Sequence, residues 1–343
     1  MGVTEPASQA RLETFLADAC QANSATILGL QPLTGGAVQE NWRLDVALEG
    51  GAYEGEQAWV LRITAPAMIP DSHSREQEFA ILKVMEAERI AAPKAHFLCR
   101  DAGVLGREFF IMERLPGIAA GHRLVRDKNL DGETLTKRLA QELGRIHAIR
   151  PPREDLTFLK MPEPTPALEM VARFRTQLEA EADSHPVLDW ALRWMALNAP
   201  APQAIVLCHW DFRTGNYLVE AGAFTGLLDW EFANWGDPME DVGWFCAKCW
   251  RFGENAREAG GIGPRALFYR AYEESSGLFI DPIAVHFWEV AAHLRWGLIA
   301  LQQCARHLSG TLPSLELALT GRLAAEMELE ILALVDRADK GRL

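Results

Sequence analysis

The segment that decides the fold of this chain reads Cys208-His209-Trp210-Asp211-Phe212-Arg213-Thr214-Gly215-Asn216, and a short apolar stretch later follows Leu227-Leu228-Asp229-Trp230-Glu231. A loop that carries Asp211 and Asn216 can aim one side chain at an acceptor hydroxyl and the other at a metal ion on a phosphate. Carboxylate and amide oxygens are the ligands that Mg²⁺ prefers. The pattern therefore predicts a catalytic loop and, after it, a second carboxylate at Asp229 that serves the same metal.

The residues between these two segments predict a β-hairpin. Tyr217–Val219 alternates as a strand, residues 220–223 contain the turn former Gly222, and Phe224–Leu228 is the returning strand. The returning strand would deliver Asp229 to the metal.

Three motifs in this order resemble those of the aminoglycoside phosphotransferase family of kinase-like phosphotransferases. They are the two segments above and the stretch Gly236-Asp237-Pro238-Met239-Glu240-Asp241-Val242-Gly243-Trp244. The stretches 250–253 and 272–277 resemble a branch related to the kinase domains fused to some acyl-CoA dehydrogenases. One departure is Trp210, where the family usually has glycine. The ring could narrow an acceptor pocket or pack behind the loop.

The resemblance implies an α+β, protein-kinase-like, two-lobed fold. We expect a nucleotide-binding lobe at residues 1–115, built from a small antiparallel sheet with one main helix, and a larger, mostly helical lobe at residues 116–343. It also implies that Asp211 acts on the acceptor hydroxyl, while Asn216 and Asp229 hold Mg²⁺. Adenine would be held by backbone groups near residues 112–115, so no side chain is assigned there.

The first lobe offers candidates for binding ATP. Gly35 and Gly36 lie in a turn between two predicted strands, which could cover phosphates. Arg62 lies on a strand where a cation is expected to contact the α- and β-phosphates, usually from lysine. Glu78, on a predicted helix at residues 74–89, is the candidate ion-pair partner of Arg62, with Glu76 as a rival. On this helix the apolar periodicity predicts that Phe79 faces inward. An exposed strand arginine and a solvated helix glutamate are the ordinary alternatives.

The second lobe is predicted to be helical, with a last helix at residues 312–337, and most of its polar residues have structural interpretations. His147 ends an apolar helix stripe, which favours a hydrogen-bonded core histidine. Asp237 is predicted to cap a helix, and Asp241 could hold the catalytic loop through hydrogen bonds. A helical segment at residues 282–308 carries possible substrate-facing residues, each of which could equally be packing or surface: Trp288, Glu289, His293, Arg295 and Trp296.

Composition narrows the class of partner. The formal net charge of −13 argues against binding a nucleic-acid backbone. The sequence shows no membrane span and no secretory leader, so we expect a cytoplasmic protein whose six cysteines are reduced. Cys246 and Cys249 are expected on one buried helix face as core thiols. Oligomeric state is not readable from the sequence.

The resemblance and the motifs together predict an ATP- and Mg²⁺-dependent phosphotransferase that acts on a hydroxyl of a small metabolite, with a hydroxyacyl-type acceptor favoured. An antibiotic phosphotransferase for aminoglycosides is the first alternative. A nucleotide-binding pseudokinase without transfer activity is the second, suggested by Arg62 in place of lysine and by the modest glycine turn. The preference for ATP over GTP is left open.

Overall fold

The computed structural model describes residues 2–33, 40–64 and 72–341, and these divide into two compact units. The first unit is Met1–Ala120 with Glu154–Phe158 and Asn216–Phe232. The second is Gly121–Arg153, Leu159–Gly215 and Ala233–Leu343. The first unit thus includes two short segments from later in the chain. The predicted lobe limits stay a prediction.

The first unit is built on a five-stranded antiparallel sheet with strand order β1-β2-β3-β5-β4. Its helices are α1 (Pro6–Cys20), α2 (Arg75–Ala87) and α3 (Ala102–Leu105), and its sheet strands are β1 (Ser24–Pro32), β2 (Glu40–Glu49), β3 (Gly55–Ile63), β4 (Ala95–Cys99) and β5 (Phe109–Glu113). A separate hairpin pairs β7 (Tyr217–Glu220) with β8 (Ala223–Leu227), close to the predicted bounds.

The two faces of β3 have different roles because successive side chains of a strand point in opposite directions. Trp59, Leu61 and Ile63 are buried in one apolar cluster together with Leu12 and Leu16 of α1. The other face carries Arg62, which is therefore on the side of the sheet away from this cluster.

Helix α2 has a firmly defined start. The Ser74 hydroxyl accepts from the Gln77 amide at 3.2 Å, and the Gln77 side chain accepts from the Ser74 amide at 3.0 Å, a reciprocal capping box. Its buried stripe runs through Glu78, Ile81 and Met85. Phe79, predicted to point inward, is only partly buried, because the stripe is centred one residue earlier and includes Glu78.

The second unit is helical except for a short antiparallel pair, β6 (Val206–Cys208) and β9 (Asn234–Gly236). Its helices are α4 (Gly121–Leu124), α5 (Gly132–Ile146), α6 (Pro166–Glu179), α7 (Pro186–Asn198), α8 (Pro238–Cys246), α9 (Arg265–Ser276), α10 (Pro282–Leu308), α11 (Leu315–Gly321) and α12 (Leu323–Asp339).

Two sequence expectations for this unit need correction. Helix α8 ends at Cys246, so Cys249 falls in a short 3₁₀ turn (Lys248–Trp250) and is only partly buried. The helix expected at residues 312–337 is two helices, α11 and α12. Here the chain passes so close to α10 that a Cβ at Gly321 would stand 2.5 Å from the Cβ of Cys304.

All six cysteines are unpaired thiols, as expected. Among the described residues, no helix combines the length and the apolar character that crossing a membrane requires.

Candidate active site

Arg62 lies at the centre of a buried ion cluster in the first unit. Its Nε donates to the Glu78 carboxylate at 2.9 Å. Its Nη1 lies 3.2 Å from Asn41 Oδ1 and 3.4 Å from Asp229 Oδ1, and its Nη2 lies 3.7 Å from Glu231 Oε2. The side chain of Arg62 is 3% exposed, so the alternative of an exposed strand arginine is wrong. The pairing with Glu78 that the sequence suggested is present.

A second guanidinium completes the cluster. Arg75, which is fully buried at the first turn of α2, donates through Nη1 to Glu78, and its Nη2 lies 3.6 Å from Glu231. The sequence motifs suggested no role for Arg75 or Glu231. The i,i+3 spacing of Arg75 and Glu78 on a helix could have indicated that Arg75 pairs with Glu78. Only the fold shows that Glu231 lies close to both arginines. Glu76, the rival of Glu78, pairs instead with the exposed Arg100.

The ionisation of the cluster follows from burial and from its charges. Burial alone would lower the pKa of Arg62, but Glu78, Asp229 and Glu231 outweigh it, so that the pKa is raised. Burial raises the pKa of Glu231 to about 7, with the carboxylates of Glu78 and Asp229 adding to the rise. Arg62 is therefore a permanent cation, whereas Glu231 can take up a proton near neutral pH.

The β7–β8 hairpin positions both predicted metal ligands within the first unit. Its two ends are tied by a hydrogen bond from the Leu228 amide to the Asn216 carbonyl at 2.8 Å. Directly after it, Asp229 adopts a left-handed backbone conformation with φ 60°, which aspartate tolerates better than most residues.

The oxygens of this unit fit a hard divalent cation. The Asp229 side chain is 37% exposed, whereas those of Glu78 and Glu231 are 3% and 8% exposed. Asp229 is thus the carboxylate of the cluster that an ion can reach from solvent, whereas Asn216, the predicted source of an amide oxygen, is 2% exposed. Gly35 and Gly36, the predicted phosphate-covering turn, lie outside the described residues.

In the second unit, Asp241 anchors the loop that carries Asp211. The fully buried Asp241 carboxylate accepts from the amides of His209 at 2.6 Å and Trp210 at 2.8 Å. Its Oδ2 also lies 3.2 Å from His147 Nε2, and His147 Nδ1 lies 2.7 Å from the Tyr272 hydroxyl. His147 is thus a buried, hydrogen-bonded core histidine that supports the loop from behind.

Asp211 itself is held by two side-chain donors. Its Oδ1 accepts from Trp244 Nε1 at 2.9 Å and from Arg213 Nε at 3.0 Å. Its amide donates to His209 Nδ1 at 3.2 Å, a contact that shapes the loop. The side chain is 14% exposed, which gives a fixed carboxylate that solvent can still reach. Neither donor was singled out from the sequence. Only the fold brings Trp244 of α8 to this loop, whereas Arg213 lies on the loop itself, two residues after Asp211.

Trp210 adopts a left-handed backbone conformation, φ 63°, at the position where the family usually has glycine. The ring is 8% exposed and packs beneath the guanidinium of Arg173, 4.6 Å from the ring centroid. Arg295 donates to the Trp210 carbonyl. These contacts stabilise a backbone conformation that a tryptophan rarely adopts.

The other polar candidates of the second unit make structural contacts. Asp237 caps α8, accepting from the Met239 amide at 2.9 Å, and it also accepts from Trp288 Nε1 at 3.1 Å. Glu289 is buried and forms a two-pronged ion pair with Arg265 at 2.6 and 2.9 Å.

Comparison with known proteins identifies the family. The model of the family described as "Phosphotransferase enzyme family" matches residues 29–278, which is most of the chain. The chain belongs to this phosphotransferase family. The match includes Arg62, Glu78, Asp211, Asn216 and Asp229.

The curated relatives that the chain matches are larger proteins. The chain is 31% identical over 189 residues to acyl-CoA dehydrogenase family member 10 of Mus musculus, covering 52% of this chain and 17% of that protein. It is 28% identical over 204 residues to family member 11 of the same organism, covering 55% of this chain and 25% of that protein. The matched part is thus a quarter or less of each relative, and the names describe those whole proteins.

Solved structures of phosphotransferases confirm the fold. A protein of Ralstonia eutropha JMP134, provisionally assigned as an aminoglycoside phosphotransferase, superposes with a TM-score of 0.73 at 20% identity, covering 96% of this chain and 98% of that one. Plasmodium vivax ethanolamine kinase gives 0.59 at 15% identity, covering 92% and 83%. A spectinomycin phosphotransferase in complex with ADP and spectinomycin gives 0.55 at 14% identity, covering 95% and 98%. The predicted α+β, protein-kinase-like fold is confirmed.

Proposed function

We propose that this chain transfers the γ-phosphate of Mg-ATP to a hydroxyl group of a small molecule. The observation that carries the proposal is the Asp211 carboxylate, fixed by Trp244 and Arg213 on a loop that Asp241 anchors. Such a carboxylate suits a reaction in which positioning matters more than basicity.

Asp211 would orient the acceptor hydroxyl and receive its proton. As the hydroxyl oxygen bonds to the γ-phosphorus, the bond from that phosphorus to the β,γ-bridging oxygen breaks, ADP leaves, and the proton on Asp211 passes to solvent. Two donors on Oδ1 hold the carboxylate in one orientation, which favours a single attack geometry.

The residues of the first unit would bind the nucleotide. Asn216 and Asp229 would hold Mg²⁺, which when bound neutralises charge on the phosphates. Arg62, held by Glu78, would supply a cation for the α- and β-phosphates, and the turn at Gly35 and Gly36 would cover them. ADP in the spectinomycin phosphotransferase supports an adenine nucleotide as the donor.

The acceptor is the finer part of the proposal. A hydroxyacyl-type acceptor is favoured because the curated relatives are named as acyl-CoA dehydrogenase family members. The alternative is an aminoglycoside, because solved phosphotransferases of this fold act on such antibiotics or are assigned to them. The pseudokinase remains the second alternative.

Transfer of labelled γ-phosphate from Mg-ATP to a panel of hydroxyacyl-CoAs, sugars, amino alcohols and aminoglycosides tests the proposal. We expect an acceptor-dependent product that Asp211→Ala reduces at least a hundredfold while leaving nucleotide affinity within a few fold. Asp189→Ala, on the exposed side of α7 with a side chain 69% exposed, is the matched control and should retain activity. Nucleotide binding without transfer to any acceptor would support the pseudokinase, and no nucleotide binding would refute the proposal.

A further inference from the structure

A small cavity lies inside the second unit, where α6, α8 and α10 meet. Its lining is mostly aromatic and aliphatic, with two charged residues: Met170, Phe174, Glu240, Trp244, Trp288, Ala291, Ala292 and Arg295. About 10 Å³ is open to the centre of a water molecule, which is room for about one small polar group.

Glu240 is an unusual residue for the wall of such a cavity. It is 6% exposed, and within the described ranges neither of its carboxyl oxygens has a hydrogen-bond partner. Buried carboxyl groups are normally hydrogen-bonded, and an unsatisfied one costs free energy. A group that this protein binds can supply the missing partner.

A second unsatisfied group, the indole N–H of Trp210, lies beside the Glu240 carboxyl group. Trp210 Nε1 is buried and donates to none of the residues that the structure describes. A Cβ at Gly236 would stand 3.0 Å from Glu240 Oε2 and 3.2 Å from Trp210 Nε1, so both groups border the same point of the backbone. One acceptor and one donor are therefore left unpaired next to each other.

The charges around Glu240 are mixed. Burial raises its pKa well above the usual range, Asp241 and Asp237 add to the rise, and the guanidinium groups of Arg295 and Arg173 oppose it. Two fixed cations thus already act on this carboxyl group, which disfavours a third from a ligand.

The cavity is linked to the carboxylate that would act on the acceptor. Trp244 lines the cavity and donates its Nε1 hydrogen to Asp211 Oδ1 at 2.9 Å. Arg295 also lines the cavity, stacks over the Trp244 ring at 4.5 Å and donates to the Trp210 carbonyl. A ligand group held by Glu240 would therefore share its wall with the side chain that orients Asp211.

The unpaired groups select the chemistry of the ligand. A hydroxyl can accept from Trp210 Nε1 and donate to a Glu240 oxygen, and it can do so whether the carboxyl group is ionised or protonated. An ammonium group only donates, so it would leave the indole hydrogen unpaired and add a cation beside Arg173 and Arg295. A carbonyl only accepts, so it cannot donate to the Glu240 oxygen that carries no proton.

We propose that Glu240 and Trp210, with Trp244, form a subsite that recognises a hydroxyl group of the acceptor other than the one phosphorylated. The inference rests on the proposed function and narrows its acceptor to a molecule with a second hydroxyl group close to the one that is phosphorylated, which for an acyl-CoA means a second hydroxyl on the acyl chain. Quaternary or primary amines with a single hydroxyl do not satisfy the subsite.

Calorimetric binding of ribitol, kanamycin A, choline, 3-hydroxybutyryl-CoA and 3,4-dihydroxybutyryl-CoA tests it, with phosphate transfer measured separately on the same panel. We expect at least one polyhydroxylated compound to bind, with affinity about tenfold lower in Glu240→Ala and within about threefold in Glu240→Gln, which keeps a donor and an acceptor. The dihydroxyacyl compound should bind more tightly than its monohydroxy partner, and only its affinity should depend on Glu240.

Two further variants keep the test decisive. Gly236→Ala, which places a methyl group against both unpaired atoms, should reproduce the loss if Glu240→Ala does not fold. Glu289→Gln alters a buried carboxylate that does not line the cavity and should leave binding unchanged.

The outcomes separate the two proposals. Binding that depends on Glu240 without phosphate transfer would leave the subsite standing and overturn the proposed function. Phosphate transfer that is unchanged in the Glu240 and Gly236 variants would support the proposed function and overturn the subsite. The subsite is also overturned if no polyhydroxylated compound binds, if choline binds best, or if a crystal structure shows Trp210 Nε1 donating directly to Glu240.

Discussion

Replacing Asp241 by asparagine tests how the loop before Asp211 is held. The two oxygens of Asp241 accept from the amides of His209 and Trp210 at 2.6 and 2.8 Å, and the side chain is fully buried. Asparagine keeps one oxygen and presents an NH₂ group to the other amide, so one charge-assisted hydrogen bond is lost and one buried N–H is left unpaired. Each contributes about 1–3 kcal/mol, which gives a loss of about 3 kcal/mol in the free energy of unfolding.

The assay compares thermal unfolding and phosphate transfer in the same variant. A loss of this size should lower Tm by about 5 °C or more. The loop amides also set the position of Asp211, so kcat should fall at least tenfold while the affinity for nucleotide changes less. Asp281→Asn is the matched control, because Asp281 caps the exposed start of α10 and asparagine caps helices nearly as well.

The reasoning would be refuted if Asp241→Asn unfolded like the wild type, since the two short hydrogen bonds could not then carry the loop. A large loss of stability with unchanged kcat would mean that Asp241 holds the fold without positioning Asp211.

Three further predictions follow from other contacts. Arg62→Lys should weaken binding of Mg-ATP about tenfold and lower Tm, because one ammonium cannot replace three guanidinium nitrogens on separate partners; binding equal to the wild type would contradict this. Burial lowers the pKa of His293 in the folded protein, so as the pH falls this histidine is protonated in the unfolded chain before it is protonated in the folded one. The free energy of unfolding should therefore decrease as the pH drops through about 6.5, and His293→Leu should reduce that decrease in unfolding titrations. Gly243→Ala should cost about 1–3 kcal/mol in urea unfolding, because its methyl would lie 2.5 Å from a side chain of α10, whereas Gly297→Ala, with contacts of 3.5 Å or more, should be neutral or stabilising.

Much of the local structure could be read from residue patterns. The Asp237 cap of α8 and the apolar stripe ending at His147 each depend on neighbours within a few residues, and the structure contains both. Two local predictions were wrong, namely the inward face of α2 and the absence of a break between α11 and α12. Both features depend on how tightly a helix packs against another element, and the spacing of apolar residues along the sequence does not report on that.

The candidate site was only partly readable. The sequence predicted that Glu78 pairs with Arg62, because a kinase-like arrangement needs a fixed cation on that strand. Glu231 and the Trp244 donor to Asp211 were missed, because each contact joins residues that are far apart in the chain. Arg75 and the Arg213 donor were missed although each lies within three residues of its partner.

The sequence by itself determined the family, the fold class and the order of the motifs around Asp211, Asn216 and Asp229, since these depend on residue types at short spacings. Only the tertiary structure decided which charges are buried together and which polar groups stay unpaired. The free energy of a buried charge depends on every group within a few ångströms, whatever its position in the chain. The ion cluster around Arg62 and the unpaired carboxyl group of Glu240 are therefore properties of the packed protein.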